Sequence, residues 1–217
     1  MPMPRGYRKD EDFKAMEKAQ VAALLHACRS IERDARAYFM FALMYLLGLR
    51  IGEATQLKWE YLGPLNAKGE PICVRIPTLK QRQDSPPLLT VPVLSHHNLV
   101  LAAFDRRRLT KDQRRARSPW LFPGDNGTKP LSHTQAYRVW EHCREAARLD
   151  ARYTPHCLRH TAATTLARAG VPKTPLIVAF LRHKTRGDAT DVYIHATPTE
   201  WVKWRGVLDL PPLAPIS

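Results

Sequence analysis

The sequence lacks the features that assign a protein to a membrane, to secretion or to a disulfide scaffold. No apolar run reaches the roughly 18 residues that a membrane-spanning helix requires, and the longest, Phe39 to Leu49, stops at Arg50. The amino terminus is basic but lacks the apolar core of a signal peptide. The 4 cysteines include no C-x-x-C pair. Reduced thiols in a cytoplasmic protein, with no membrane partner, are therefore expected.

Acidic residues are also few. The 217-residue chain has 20 Asp and Glu against 34 Lys and Arg, a formal charge of +14. A domain this basic is expected to bind a polyanion, most commonly nucleic acid, although a membrane surface or an acidic protein would also account for the charge. With 44% hydrophobic residues the chain can bury a core, so one domain with at most a short appendage is expected.

Hydrophobic periodicity predicts a mostly helical chain with one small β-hairpin. Apolar residues at helical spacing, together with cap residues, predict helices over 14–31, 35–47, 52–58, 95–108, 132–149, 155–169, 174–181 and 188–195. Alternating apolar residues over 72–76 and 89–93 predict two strands joined by a long polar connection. Gly48 is expected to end the second helix as a C-cap glycine.

Two candidate functional signals lie in the first half of the chain. Arg50, in the segment GLRIGE, stands where a buried helix meets a turn, so its guanidinium can be aimed at a phosphate. The alternative is an arginine that caps a helix and pairs with Glu53. Lys80, in TLKQR just after the first strand, is either a solvated charge or a functional lysine, and Arg82 is its rival.

A third signal is the segment TPHCLRH at the start of a predicted helix. Pro155 suits the first helical turn, and a helix amino terminus attracts anions. His156 and Arg159 are three residues apart and therefore share one helical face. His160 lies four residues after His156, as a metal pair would, but the helical zinc protease signature requires Glu where Cys157 stands. Neither a metal nor a cofactor is expected.

The last two signals are His183, in LRHKT, and Tyr193, in TDVYIH. Taken singly, such a histidine is more often a structural hydrogen-bonding group and such a tyrosine is more often part of a core. In their order along the chain, however, the five signals resemble the tyrosine recombinase (phage integrase) family. The resemblance covers nearly the whole chain, up to His195. Two departures stand out: the family usually has glycine where Arg182 stands, and the step from His183 to Tyr193 is slightly long.

The resemblance implies an α+β, mostly α-helical fold, namely the tyrosine recombinase catalytic domain with a small antiparallel β-hairpin that carries the catalytic Lys80. Residues 1–16 would be a short basic N-terminal extension, 17–197 the catalytic domain, and 198–217 a C-terminal helix and proline-rich tail. Trp201 and Trp204 would either pack on a neighbouring protomer or close the core of their own chain. The short extension would make the chain a natural short form, a fragment or a relic.

The resemblance also implies which side chains act. Six would be catalytic: Arg50, Lys80, His156, Arg159, His183 and Tyr193. Three would contact DNA: Arg82, Arg182 and Lys184. Glu53 would orient Arg50 without reacting. The activity implied is that of a site-specific recombinase or integrase, which cleaves and rejoins DNA through a 3′-phosphotyrosyl intermediate without metal or ATP.

The partners follow from the same resemblance. Double-stranded DNA would be the substrate, and the protein would work at the nucleoid as a homotetramer on paired DNA sites, and as a monomer or weak oligomer without DNA. One alternative is a type IB topoisomerase, which shares this chemistry but relaxes DNA as a monomer. The other is a catalytically inactive DNA-binding relic or regulator that kept the fold.

Overall fold

Helices dominate the part of the chain that the structure describes, as the hydrophobic periodicity predicts. The computed structural model describes residues 15–31, 36–63, 73–79, 88–94, 117–172, 178–182 and 203–210. The elements in these ranges are α1 (Lys18–Ile31), α2 (Arg36–Leu46), α3 (Ile51–Thr55), β1 (Cys73–Pro77), β2 (Leu88–Pro92), α4 (His133–Ala146), α5 (Pro155–Arg168) and α6 (Val178–Leu181), with a 3₁₀ turn at Trp59–Tyr61. The predicted helices over 95–108 and 188–195 lie outside the described residues.

Helix α2 forms the centre of the core. Its residues from Ala37 to Leu46 are all buried, which is expected of a helix that is apolar on every side. It packs against α1, α3, α4 and α5. Trp140 of α4 meets Phe41 edge-on, with ring centroids 5.2 Å apart, and its indole N–H donates to the Tyr153 carbonyl at 3.0 Å. The core therefore lies around α2, and Trp140 links the middle of α2 to the segment just before α5.

The predicted hairpin is confirmed. Strands β1 and β2 pair antiparallel with Val74 opposite Val91. Val74, Ile76 and Val91 are buried, while Arg75 between them is exposed. This alternation is the signature of a sheet with one face on the core. An isolated bridge joins Leu62 to Val74 and ties the hairpin to the chain that follows the 3₁₀ turn.

A glycine turn joins α2 to α3. Gly48 has φ +57°, its N–H donates to the Tyr45 carbonyl at 3.4 Å, and the Leu49 N–H donates to the Met44 carbonyl at 2.9 Å. These bonds form the Schellman motif that ends many helices, and the predicted C-cap is confirmed. A Cβ at Gly48 would lie 2.7 Å from the Phe180 ring. Glycine is thus required both by the left-handed backbone and by the close approach of α6.

Three predicted helices are shorter in the structure by three or more residues at one end. Helix α1 begins at Lys18, because the Met16 N–H donates instead to the Thr161 hydroxyl of α5 at 2.8 Å and the Glu17 N–H to the Gln20 side chain. Helices α3 and α4 end at Thr55 and Ala146, each three residues before the predicted end.

The described part of the C-terminal segment forms turns, and the helix predicted there is wrong for residues 203–208. Gly206, at φ +84°, is the reason, and its N–H donates to the Leu94 carbonyl at 2.6 Å. Leu208 and Leu210 are buried in the core. Trp204 packs against the same core, which favours the same-chain alternative for this tryptophan, while Trp201 lies outside the described residues. Among the described helices, none is long and apolar enough to cross a bilayer.

Candidate active site

Arg50 occupies the turn between α2 and α3. It is the N-cap residue of α3, and its backbone N–H donates to Oε2 of Glu53 at 2.8 Å while its Nη1 donates to Oε1 at 2.8 Å. This is one half of a capping box, in which the carboxylate at the third helical position accepts from the backbone N–H of the cap residue, while the arginine side chain itself can only donate. The Arg50 side chain remains 44% exposed. The capping alternative is therefore realised, and the guanidinium still faces solvent in part.

Glu53 is the centre of a cluster of arginines. Its side chain is 6% exposed, and besides Arg50 it pairs with Arg182, whose Nη2 lies 2.7 Å from Oε2, and with Arg159, whose Nη1 lies 3.9 Å from Oε2. We call these four residues, Arg50, Glu53, Arg159 and Arg182, the Glu53 cluster. Burial raises the pKa of Glu53, but the charge of Arg182 and the hydrogen bonds from Arg50 and Arg182 outweigh it, so the pKa is lowered overall. Glu53 is therefore ionised at neutral pH.

Arg159 enters the cluster from α5. Pro155 is the first residue of this helix, as predicted, and Thr154 is its N-cap. The Arg159 side chain is 2% exposed; its Nη1 donates to the Gly48 carbonyl and its Nη2 to the Leu181 carbonyl. Burial, then the charges of Arg182 and Arg50, lower its pKa to about 9, so the guanidinium is positive at neutral pH.

Arg182 enters from the end of α6. Its Nη1 donates to the carbonyls of Phe180 at 2.8 Å and Leu47 at 3.2 Å, and its Nη2 donates to the Gly48 carbonyl and to Glu53. Its side chain is 5% exposed, and burial lowers its pKa. The DNA contact expected of Arg182 stays a prediction, since these partners are all protein groups.

His156 lies at the other edge of the same α5 face. It is exposed, whereas Arg159 is buried. Its ring meets that of His160 edge-on, with centroids 4.5 Å apart. Within the described ranges, no group of three His, Cys, Asp or Glu is arranged to hold a metal.

The remaining predicted site residues lie outside the described residues: Lys80, Arg82, His183, Lys184 and Tyr193. Two of them adjoin described positions in the sequence, since Lys80 follows the exposed Leu79 and His183 follows Arg182.

The Glu53 cluster carries more positive than negative charge. Three guanidiniums share one carboxylate. Guanidiniums recognise phosphate and other oxyanions through paired N–H donors. The arrangement is therefore chemically suited to attract an anion at the end of α2, beside the exposed part of Arg50.

The place of Arg182 in this cluster is not predicted by the sequence. A signal for an unusual backbone is present, because an arginine stands where the resembled family usually has glycine, and Arg182 has φ +53°. The sequence could not show which carboxylate the arginine meets.

The sequence of this chain matches a known protein family over most of its length. A family model described as the phage integrase family matches residues 14–200, which is most of the chain. The chain belongs to the phage integrase family. A protein of Sinorhizobium fredii named as an integrase/recombinase is 29% identical over 137 residues, which is 63% of this chain and 39% of that protein. A tyrosine recombinase of Thermosipho africanus is 26% identical over 200 residues, which is 91% of this chain and 62% of that protein. This phage integrase family member thus spans about half the length of these relatives.

Solved structures share the fold. The XerA recombinase matches with a TM-score of 0.61 and 21% identity, over 79% of this chain and 56% of that one. The XerH site-specific recombinase bound to its difH substrate matches with a TM-score of 0.59 and 21% identity, over 79% of this chain and 48% of that one. The fold predicted from the resemblance is confirmed.

Proposed function

We propose that this member of the phage integrase family is the catalytic part of a site-specific DNA recombinase that works through a phosphotyrosyl intermediate. The observation that supports this most is the Glu53 cluster, where two arginines of the predicted site meet on one carboxylate with positive charge in excess. An anion-attracting site of this kind suits a phosphodiester, and the family membership points to DNA as its source.

In the proposed reaction, the Tyr193 oxygen attacks the scissile phosphorus. The bond to the 5′ oxygen breaks, and the DNA 3′ end remains joined to the tyrosine. Lys80 gives a proton to the departing 5′ oxygen, and His156 assists proton movement near the nucleophile by taking up the proton that Tyr193 loses. Religation reverses these steps, so the phosphodiester energy is conserved and neither ATP nor a metal is required.

The charged side chains stabilise the transition state in this proposal. Negative charge gathers on the two non-bridging oxygens, where Arg50, Arg159 and His183 donate hydrogen bonds. Arg50 is already partly exposed, whereas Arg159 is 2% exposed and donates to two carbonyls. Each Nη group carries a second N–H, so DNA binding must uncover the Arg159 guanidinium but need not break its bonds to the two carbonyls. Glu53 holds Arg50 in place throughout.

The partner in this proposal is duplex DNA, which Arg82 and Lys184 contact. Four protomers would assemble on two paired sites. XerH was solved in complex with its DNA substrate, and the basic charge of this chain, +14, suits the same class of partner.

The test uses a suicide DNA substrate, nicked so that the cleaved fragment diffuses away. Substrates are drawn from the DNA that flanks the gene and incubated in EDTA without ATP. Wild type is expected to form a protein–DNA adduct that survives SDS, and Tyr193→Phe to form none. Tyr137→Phe, which removes the hydroxyl of a half-buried tyrosine of α4, is the matched control and retains the adduct.

Three results would contradict the proposal. DNA binding by wild type with no adduct on any flanking substrate would favour the inactive DNA-binding alternative. An adduct that persists in Tyr193→Phe would assign the nucleophile to another residue. Relaxation of a supercoiled plasmid that lacks any flanking sequence would instead indicate a type IB topoisomerase.

A further inference from the structure

Arg182 holds a backbone conformation that side chains normally avoid. Its φ is +53°, in the left-handed region where glycine is favoured and where a Cβ crowds the following carbonyl. The exposed Arg148 holds the same φ just after α4, so this conformation occurs at helix ends without a buried side chain. What distinguishes Arg182 is that its side chain is buried and engaged in contacts.

Those contacts join three segments of the chain. The guanidinium of Arg182 donates to the carbonyl of Phe180 in α6, to the carbonyls of Leu47 and Gly48 at the end of α2, and to the carboxylate of Glu53 in α3. All four distances lie between 2.7 and 3.2 Å. Because its side chain is 5% exposed, these bonds are shielded from water and hold the three segments together.

Through these contacts Arg182 shares one hydrogen-bond acceptor with each of the two arginines proposed to bind phosphate. It shares the carboxylate of Glu53 with Arg50, and it shares the carbonyl of Gly48 with Arg159. Its occupancy of Oε2 leaves Oε1 to the Arg50 guanidinium. Replacing the Arg182 side chain therefore removes a donor from both shared acceptors, the Glu53 carboxylate and the Gly48 carbonyl, and so changes the surroundings of both arginines.

We propose that Arg182 is a positioning residue, which sets where Arg50 and Arg159 present their guanidiniums to the scissile phosphate by holding Glu53 and the Gly48 carbonyl. This inference rests on the proposed function. It differs from the DNA contact expected of Arg182 from the sequence, because here the residue acts through other protein groups.

The first measurement reads the arginines in the free protein and needs no activity. Arginine side chains are labelled with ¹⁵N, and the Nε–H signals of Arg50 and Arg159 are followed in wild type, Arg182→Gln and Arg182→Lys. Arg182→Gln is expected to shift both signals and to speed their hydrogen exchange, with Arg182→Lys between it and wild type. Unchanged signals for both arginines in Arg182→Gln overturn the proposal.

Arg144→Gln is the matched control. Arg144 is also buried and paired with glutamates, but its partners Glu141, Glu145 and Leu149 are not in the Glu53 cluster. It shows how far the loss of any buried, paired arginine disturbs the protein. The Arg50 and Arg159 signals are expected to stay in place in this variant, and an equal disturbance would reduce Arg182 to a structural role.

The second measurement uses the suicide substrate. For Arg182→Gln, the rate of adduct formation at saturating DNA is expected to fall by about 10- to 100-fold, since small misplacements of catalytic groups have effects of this size. The DNA dissociation constant and its salt dependence are expected to stay close to wild type. A weaker affinity with a shallower salt slope, at an unchanged saturating rate, would indicate a direct phosphate contact and overturn the proposal.

Coupling to Glu53 completes the test. Because Arg182 is proposed to act through Glu53, its replacement should change the adduct rate much less in a Glu53→Gln background than in wild type. Full additivity of the two replacements in the adduct rate contradicts the proposal.

If the double variant does not fold, the labelled-arginine spectra of Arg182→Lys decide the question alone. If wild type forms no adduct, the proposed function fails, while those spectra still decide the positioning.

Discussion

Two clusters of buried arginine in this protein have opposite charge balance. At the end of α4, Arg144 is 10% exposed and pairs with Glu141 at 2.7 Å and Glu145 at 3.3 Å, while its Nη1 donates to the Leu149 carbonyl at 3.1 Å. We call Glu141, Arg144 and Glu145 the Arg144 cluster. There one arginine has two carboxylates, whereas in the Glu53 cluster three arginines share one.

The comparison separates what the fold requires from what a site requires. In both clusters guanidinium donors satisfy backbone carbonyls at the end of a helix: Arg144 donates to Leu149 just after its own helix, whereas Arg182 donates across the fold to carbonyls at the end of α2. The Arg144 cluster does this with negative charge in excess, so the fold does not require surplus arginines for that purpose. The surplus positive charge in the Glu53 cluster is instead costly to bury, and an incoming anion would relieve it.

The largest expected effect is on stability, in Glu53→Gln. The replacement leaves three guanidiniums without their carboxylate, and breaking a buried ion pair by removing one partner typically costs about 3–5 kcal/mol. The free energy of unfolding at neutral pH, from urea denaturation, checks this. Glu141→Gln, in the Arg144 cluster, is the control and should have a much smaller effect, because Glu141 is half exposed and Glu145 remains.

The difference in the free energy of unfolding between wild type and Glu53→Gln is expected to shrink as the pH falls. The pKa of Glu53 is lowered in the folded protein from its ordinary value of 4.5. Its contribution to stability is therefore fully present above that value and is lost as the pH falls through the lower, folded pKa. Wild type and Glu53→Gln should converge in stability below pH 4.5. A gap that stays constant down to acid denaturation would show that the Glu53 charge is not what stabilises the cluster.

The next effect is on catalysis, in Arg159→Lys. Lysine keeps the charge but not the planar fork that reaches two acceptors at once. If Arg159 stabilises the transition state, adduct formation on the suicide substrate should slow by about 10²–10³-fold, or roughly 3–4 kcal/mol. Arg144→Lys, the same change in the other cluster, should leave the rate unaltered. Equal losses in the two variants would mean that the rate reports folding and not the site.

The sequence predicts local parts of this site well. Gly48 as a helix stop, Pro155 in the first turn of α5, and the pairing of Arg50 with Glu53 all depend on residues within a few positions of each other. The two strands of the hairpin and their buried face follow from its alternating pattern as well. Such features are set by backbone geometry and by short-range side-chain contacts, which a sequence displays directly.

The convergence on Glu53 could not be predicted in the same way. Arg182 is separated from Glu53 by 129 residues, and Arg159 from Gly48 by 111. These contacts exist because α5 and α6 pack beside the end of α2, which no local pattern specifies. The burial of the Arg182 side chain likewise depends on tertiary contacts.

The smallest expected effect compares two glycines that both end helices with positive φ. Gly48 ends α2 at φ +57° beside the Phe180 ring, whereas Gly170 ends α5 at φ +82°, where an added Cβ would have no described neighbour within 4 Å. Alanine at Gly170 adds only backbone strain, about 1–2 kcal/mol. Alanine at Gly48 adds the same strain and a clash with Phe180, about 2–4 kcal/mol in total. Urea unfolding of both variants measures the difference in the free energy of unfolding. Equal losses would show that α6 shifts away from the added methyl group without loss of stability.

The same pair of variants separates the turn from the site. Since the Gly48 carbonyl accepts from Arg159 and Arg182, only Gly48→Ala should also slow adduct formation. A similar slowing in Gly170→Ala would show that the Gly48 turn has no specific role in the site.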